Sequence, residues 1–235
     1  MSSRLADRTL VVTGASSGIG RALAERLIER GARVIGISRS AGRLPAGVVP
    51  LQADLTKREE VTAAFRRLEI IDALVNCAGV AYQSKILDGN PSDWEEMWRV
   101  NVMGLALCCQ LALRHFPKSG GRIVNVSSMS GHRVPPGGGF YAPTKFAVRA
   151  ITDSLRLEVK AAGLPVQVGS VSPGFVDTPL LDDYFRGREE VLQQTRASIH
   201  MLRAEDVAES ILHMLETPPH VEIGDISLRS SDQRV

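Results

Sequence analysis

The chain has no excess of either charge to work with. Its 28 Lys and Arg face 26 Asp and Glu, and the basic residues are scattered along the sequence instead of forming a block. Nucleic acid and membrane surfaces therefore have no electrostatic support as partners. Cysteine is scarce as well. Cys77 and the neighbours Cys108 and Cys109 make an odd count without metal-ligand or redox spacing, which points to buried thiols in a reducing compartment and to no metal site. Long apolar runs are missing too: the opening MSSRLADRTL has no apolar signal core, and the longest apolar stretch, Val100 to Leu113, is interrupted by Asn101 and Gln110. The expected location is the cytoplasm. With no linker, internal repeat or low-complexity tract, 235 residues that are 44% hydrophobic suit one domain spanning 1–235.

Short β-rich runs alternate with longer helical patterns: TLVVTG, ARVIGIS, GVVPLQA, DALVN, RIVNVSS and VQVGSVSP. This alternation predicts an α/β fold, a doubly wound, Rossmann-like parallel sheet of about seven strands with helices on both faces. Between the first two strands, Leu23, Leu27 and Ile28 share a helical stripe that ends at Gly31, a natural helix stop. The crossover from Ser38 to Val48 is too short and too rich in Gly and Pro for a full helix, so a loop or single turn is expected there. Ser92-Asp93-Trp94-Glu95 reads as a capping pattern that opens a long helix running to about His115.

Two constellations carry chemistry. TGASSGIG, Thr13 to Gly20, falls where the first strand ends and the first helix begins. Glycines at 14, 18 and 20 let the backbone approach a pyrophosphate, whose charge the free N–H groups of the helix start can stabilise. Farther on, FYAPTKFAV places Tyr141 and Lys145 four residues apart, on one face of a helix. A free tyrosine hydroxyl, with a pKa of about 10, is a poor proton carrier near neutrality, and a neighbouring ammonium would lower that value. Ser127 and Ser128 end a strand upstream, where a hydroxyl at the carboxyl end of the sheet could hydrogen-bond a substrate carbonyl or alcohol. Alone, the Tyr-Lys pair reads more readily as a packing aromatic beside a solvated lysine, because such pairs are common on helices.

Together these residues resemble the short-chain dehydrogenase/reductase family, in the right order and over nearly the whole chain. TGASSGIG is similar to its cofactor loop, NCAG (Asn76 to Gly79) to its Asn-Asn-Ala-Gly segment, VNVMG to the helix bearing its active-site Asn, YAPTK to its active-site motif and VSPGFVDT to its Pro-Gly segment. Cys77 departs from the usual second Asn. The resemblance implies a catalytic tetrad of Asn101, Ser128, Tyr141 and Lys145, with Ser128 chosen over Ser127 because it lies thirteen residues before Tyr141. Tyr141 would be the general acid in carbonyl reduction and the base in alcohol oxidation. Lys145 would lower the tyrosine pKa and bind the nicotinamide ribose, and Asn101 would hold a water that links Lys145 to solvent. By the same resemblance the cofactor would meet Gly14, Ser16, Ser17, Gly18, Ile19, Gly20, Ser38, Arg39, Asp54, Leu55, Asn76, Ala78, Gly79, Tyr141, Lys145, Pro173, Gly174, Val176 and Thr178.

The end of the second strand selects NADP(H) over NAD(H). NAD-preferring enzymes usually present a carboxylate there to hold the adenosine ribose, whereas this chain has Ser38 followed by Arg39, a hydroxyl donor and a guanidinium suited to a 2′-phosphate. Ser17 stands where many NADP-preferring relatives carry Lys or Arg, which argues for a moderate preference. Residues 179–200 would form a substrate lid, with HRVPPGGGF as the loop opposite. The tail Arg229-Ser230-Ser231-Asp232-Gln233 partly resembles the Arg-Pro-Thr-x-Gln close of a subfamily that includes serine and 3-hydroxy acid dehydrogenases and a clavulanate dehydrogenase. The expected function is an NADP-dependent oxidoreductase for a small or medium carbonyl/alcohol pair. The alternatives are an NADP-binding regulator on the same fold and an NAD-preferring dehydrogenase. Apolar surface on the helices holding VMGLALCCQLALRHF and FAVRAITDSLRLEV is wider than packing on a sheet requires, so a homodimer or homotetramer is expected.

Overall fold

Side-chain alternation along the strands builds two apolar layers. In β1 (Thr9–Thr13), Leu10 and Val12 enter the core on one side of the sheet and Val11 the core on the other, as successive residues of a strand must. A computed structural model describes residues 4–233. It continues with α1 (Gly18–Glu29), β2 (Arg33–Ser38), β3 (Val49–Gln52), α2 (Arg58–Phe65) and β4 (Ala73–Asn76). After α3 (Pro91–Trp98), α4 (Leu105–Ala112) and β5 (Gly121–Val126) come α5 (Tyr141–Ala161), β6 (Val166–Pro173), α6 (Pro179–Tyr184), α7 (Glu189–Ser198), α8 (Ala204–Glu216) and β7 (Asp225–Leu228).

All seven strands pair in parallel in the order β3-β2-β1-β4-β5-β6-β7. Helices α1 and α8 cover one face, burying Leu23, Leu27, Ile211 and Leu212. Helices α2, α4 and α5 cover the other with Phe65, Leu105, Val148 and Val159. The doubly wound, Rossmann-like sheet expected from the sequence is therefore present. Strand order reverses between β1 and β4, where Thr13 pairs with Asn76, and a crevice beyond the carboxyl ends of two such strands is where open α/β sheets take ligands.

The glycine after α1 acts as expected: Gly31 has φ +79° and its N–H donates to the Ile28 carbonyl at 2.9 Å. The short crossover after β2 contains a single 3₁₀ turn, Ala41–Arg43. The predicted long helix needs correction at both ends and in the middle. Asn90, not Ser92, caps it; the Asn90 side chain accepts from the Ser92 N–H at 3.1 Å and Pro91 fills the first turn, where a missing N–H costs nothing. Regular helix stops at Ala112 instead of His115. Between α3 and α4 the chain widens into a π turn, Arg99–Gly104, a feature often found at functional sites. Gly104 permits this path, since a Cβ there would lie 2.9 Å from both the Leu55 Cβ and its carbonyl oxygen.

Candidate active site

The carboxyl ends of β1, β4, β5 and β6 open into one cavity of about 800 Å³. Its floor at the switch point is the turn between β1 and α1. Gly14 (φ +70°) and Gly18 (φ +51°) hold backbone conformations that favour glycine. A Cβ at Gly20 would sit 2.8 Å from the Gly14 carbonyl carbon and closer still to its oxygen, and one at Gly14 would sit 2.7 Å from the Ala78 Cα. The glycines thus let two backbone segments touch and leave a cradle open above them. Thr13 braces the second segment by accepting the Ala78 N–H at 3.2 Å. This cradle, bounded by Ser17, Ile19, Ala78 and Gly79, fits a dinucleotide pyrophosphate at a helix N-terminus.

Three of the predicted tetrad, Ser128, Tyr141 and Lys145, line the same cavity, and Asn101 lies outside its lining. Tyr141 opens α5 and is 9% exposed, and Lys145 lies one turn on, its Nζ 5.6 Å from the centre of the tyrosine ring. The two candidate serines face different ways. Ser127 donates to the Lys145 carbonyl at 3.2 Å, while Ser128 hydrogen-bonds the Tyr141 phenol and lies 3.5 Å from the Pro173 carbonyl oxygen. Asn101 sits inside the π turn, with Oδ1 accepting from the Val80 N–H at 2.9 Å and Nδ2 donating to the Val80 carbonyl at 2.8 Å and to Thr144 Oγ1 at 3.2 Å. It brackets the loop after β4 against α5, close to Lys145. Regular α-helical winding at residues 99–104 would swing this amide away from Val80.

Burial dominates the electrostatics. It raises the Tyr141 phenol well above the ordinary tyrosine value, with the Ser128 hydrogen bond pulling the other way. Lys145 is pushed down to about 8 by burial, which nearby Cys77 only partly opposes. The expectation that the ammonium lowers the phenol therefore needs correction for this structure. Both groups are desolvated, and Lys145 turns its Nζ to the Val126 carbonyl at 3.1 Å. Cys77, in place of the family's second Asn, lines the cavity with its thiol pushed up to about 12 by burial, so it is no nucleophile near neutrality. Among the described residues no group of His, Cys, Asp or Glu is arranged to hold a metal ion, and no helix is long and apolar enough to cross a membrane.

Other candidates fall in three places. Pro173, Gly174, Val176 and Thr178 line the cavity, and the Thr178 methyl would lie 3.3 Å from a Cβ at Gly18. Ser38, Arg39, Asp54 and Leu55 lie outside its lining, at the end of β2, just after it, and in the loop after β3. Ser38 is buried with its hydroxyl unpartnered, an orphan that a ribose hydroxyl or phosphate would satisfy. Asn76 stands behind the cavity, its amide donating to Asn125 Oδ1 at 2.9 Å and to Cys109 Sγ at 3.3 Å; it braces β4 on β5. Ser16 likewise lies outside the lining.

Opposite the tetrad, α6 and α7 supply Leu180, Leu181, Tyr184 and Val191, faced by Pro135 and Pro136. Tyr184 was not singled out from the sequence, yet its ring packs edge-on against Tyr141 at 5.7 Å; no local pattern connects positions so far apart. The tail holds both ends of this segment. Gln233 Oε1 accepts the Phe175 N–H at 3.0 Å, and Asp232 Oδ2 accepts the His200 N–H at 3.3 Å.

Comparison with known proteins agrees with this arrangement. A family model described as short chain dehydrogenase matches residues 8–189. "Dehydrogenase/reductase SDR family member 11" of Bos taurus is 36% identical over 98% of both chains. "Farnesol dehydrogenase" of Aedes aegypti is 35% identical over 96% of this chain and 97% of its own. Among solved structures, the closed form of serine dehydrogenase complexed with NADP+ superposes with a TM-score of 0.90, at 28% identity over 97% of this chain and 96% of its own.

Proposed function

The chain belongs to the short chain dehydrogenase family, and from that premise we propose that it is an NADP-dependent oxidoreductase interconverting a small or medium carbonyl compound and its alcohol. One observation carries the reading: the glycine cradle and the Ser128-Tyr141-Lys145 group share a single cavity. With its pyrophosphate held in the cradle, a nicotinamide cofactor would supply or accept the hydride. Tyr141 moves the proton. Its raised pKa keeps the phenol protonated near neutrality, the form that donates to a carbonyl oxygen as charge develops on it. Ser128 donates a second hydrogen bond to that oxygen. Lys145 orients the nicotinamide ribose, and Asn101 fixes the loop beside it. Residues 179–200 act as the substrate lid, with Tyr184 closing over Tyr141 and water excluded by the apolar walls.

Preference for NADP(H) rests on Ser38 and Arg39. The unpartnered Ser38 hydroxyl and the exposed Arg39 guanidinium supply donors to a 2′-phosphate, and the NADP+ complex of the related serine dehydrogenase supports the same choice. Wild-type kcat/KM is expected to favour NADPH over NADH about tenfold, and Ser38→Asp with Arg39→Leu to reverse that order, mainly by raising KM for NADPH. Equal kcat/KM for the two cofactors in the wild type would refute the assignment.

We also propose a homodimer through α3 to α5, where Trp98, Met103, Phe146 and Leu157 are exposed, an apolar set that a second copy would cover. Light scattering at micromolar concentration should give at least a dimeric mass; a stable monomer would rule it out.

A further inference from the structure

Arg39 is already engaged before any phosphate arrives. Its Nη1 lies 3.9 Å from Glu96 Oε1 on α3, with side chains 64% and 37% exposed. The acid is the anchored partner, because its Oε2 accepts the Tyr82 hydroxyl at 3.0 Å. Tyr82 is held in turn by Arg186, which lies 4.5 Å over its ring and hydrogen-bonds its hydroxyl. Asp54 also faces Arg39. Burial would raise that carboxyl, but Thr56, Arg39 and Lys57 together hold it below the usual range. The neighbouring cations are committed elsewhere: Lys57 pairs with Glu60 at 2.8 Å and Arg99 with Glu95 at 3.4 Å. Two carboxylates, Glu96 and Asp54, thus face the Arg39 guanidinium.

We propose that Glu96 is a specificity-determining residue that competes with the cofactor 2′-phosphate for Arg39 and so sets the NADP(H) preference below what Arg39 alone would give. The inference rests on the reading of Arg39 as the phosphate contact. A guanidinium whose Nη1 stays with Glu96 keeps fewer donors, and less uncompensated charge, for a phosphate. The fixed Glu96 charge also repels a dianion placed within a Debye length of it. A cofactor without the 2′-phosphate meets neither cost, so Glu96 acts on the difference between the two cofactors. The size is modest because the pair is partly solvated.

Calorimetric titration of NADP+ and NAD+ into the wild type, Glu96→Gln, Arg39→Leu and the double variant tests this. Gln retains an acceptor for Tyr82 and removes the charge. Glu96→Gln should tighten NADP+ about threefold and leave NAD+ unchanged, with the gain shrinking as salt is added and vanishing in the Arg39→Leu background. An unchanged NADP+ affinity, an equal gain for both cofactors, or a gain that survives loss of Arg39 would overturn the proposal. The two readings fail separately. If Arg39→Leu weakens NADP+ while Glu96→Gln does nothing, only the role of Glu96 falls; if Arg39→Leu itself leaves NADP+ binding unchanged, the phosphate contact falls and this proposal with it.

Discussion

Replacing Tyr141 by Phe should lower kcat about a thousandfold while leaving NADPH affinity within about threefold. The substitution removes one oxygen. The ring keeps its edge-on contact with Tyr184 and its place near the Lys145 ammonium, and the glycine cradle is untouched. What disappears is the phenol proton carried in the cavity beside Ser128. Ser128 cannot take over, because an unactivated alcohol hydroxyl is a poor proton carrier near neutrality. Steady-state kinetics together with direct nucleotide titration separates the two effects. Retention of more than a few per cent of wild-type turnover would show that the proton travels by another group.

A single methyl at Gly20 is expected to cost more than tenfold in dinucleotide affinity and about 1–3 kcal/mol in stability. The cause is space, not backbone angle. Gly20 lies in the first turn of α1, where any residue could adopt the dihedrals, but its Cβ would press into the Gly14 carbonyl and stand 3.1 Å from Cys77 Cβ. Backbone cannot yield as a flexible side chain can, so the β1–α1 turn must move away from the loop after β4, and the N–H groups that would meet the pyrophosphate lose their common aim. Gly42→Ala is the control, since a Cβ there has nothing within 4 Å. Thermal denaturation and cofactor titration should show Gly20→Ala impaired in both and Gly42→Ala in neither. Wild-type cofactor affinity in Gly20→Ala would mean that the cradle does not hold the nucleotide.

What could be read in the sequence was whatever depends on short spacing. The glycine pattern from 14 to 20, the four-residue step from Tyr141 to Lys145 and the strand alternation around Val11 are local, and each sits where that spacing led one to expect. The π turn at Arg99–Gly104 could not be read, because a single extra residue in one turn leaves the apolar periodicity nearly unchanged while it redirects Asn101 toward Val80. The cap at Asn90 was missed because Ser92 offered an equally good local pattern, and the Pro91 ring decided between them. Protonation was the least legible. Whether Lys145 lowers the Tyr141 phenol depends on how much water both groups lose, and that is set by α6, β5 and β6 closing around them. The sequence shows the pair, whereas the fold sets its charge. Tyr184 and the Gln233 clamp on Phe175 belong to the same class of long-range contacts.

Hydride transfer to a carbonyl in this cavity is tested most directly by oxidation of NADPH by the purified wild-type protein against a panel of aldehydes and ketones, polar and apolar. Saturable turnover is expected on at least one of them, with the corresponding alcohol as product and NADPH consumed in equal amount. Tight NADPH binding with no turnover on any member of a broad panel would contradict it and would favour a nucleotide-binding regulator built on the same fold.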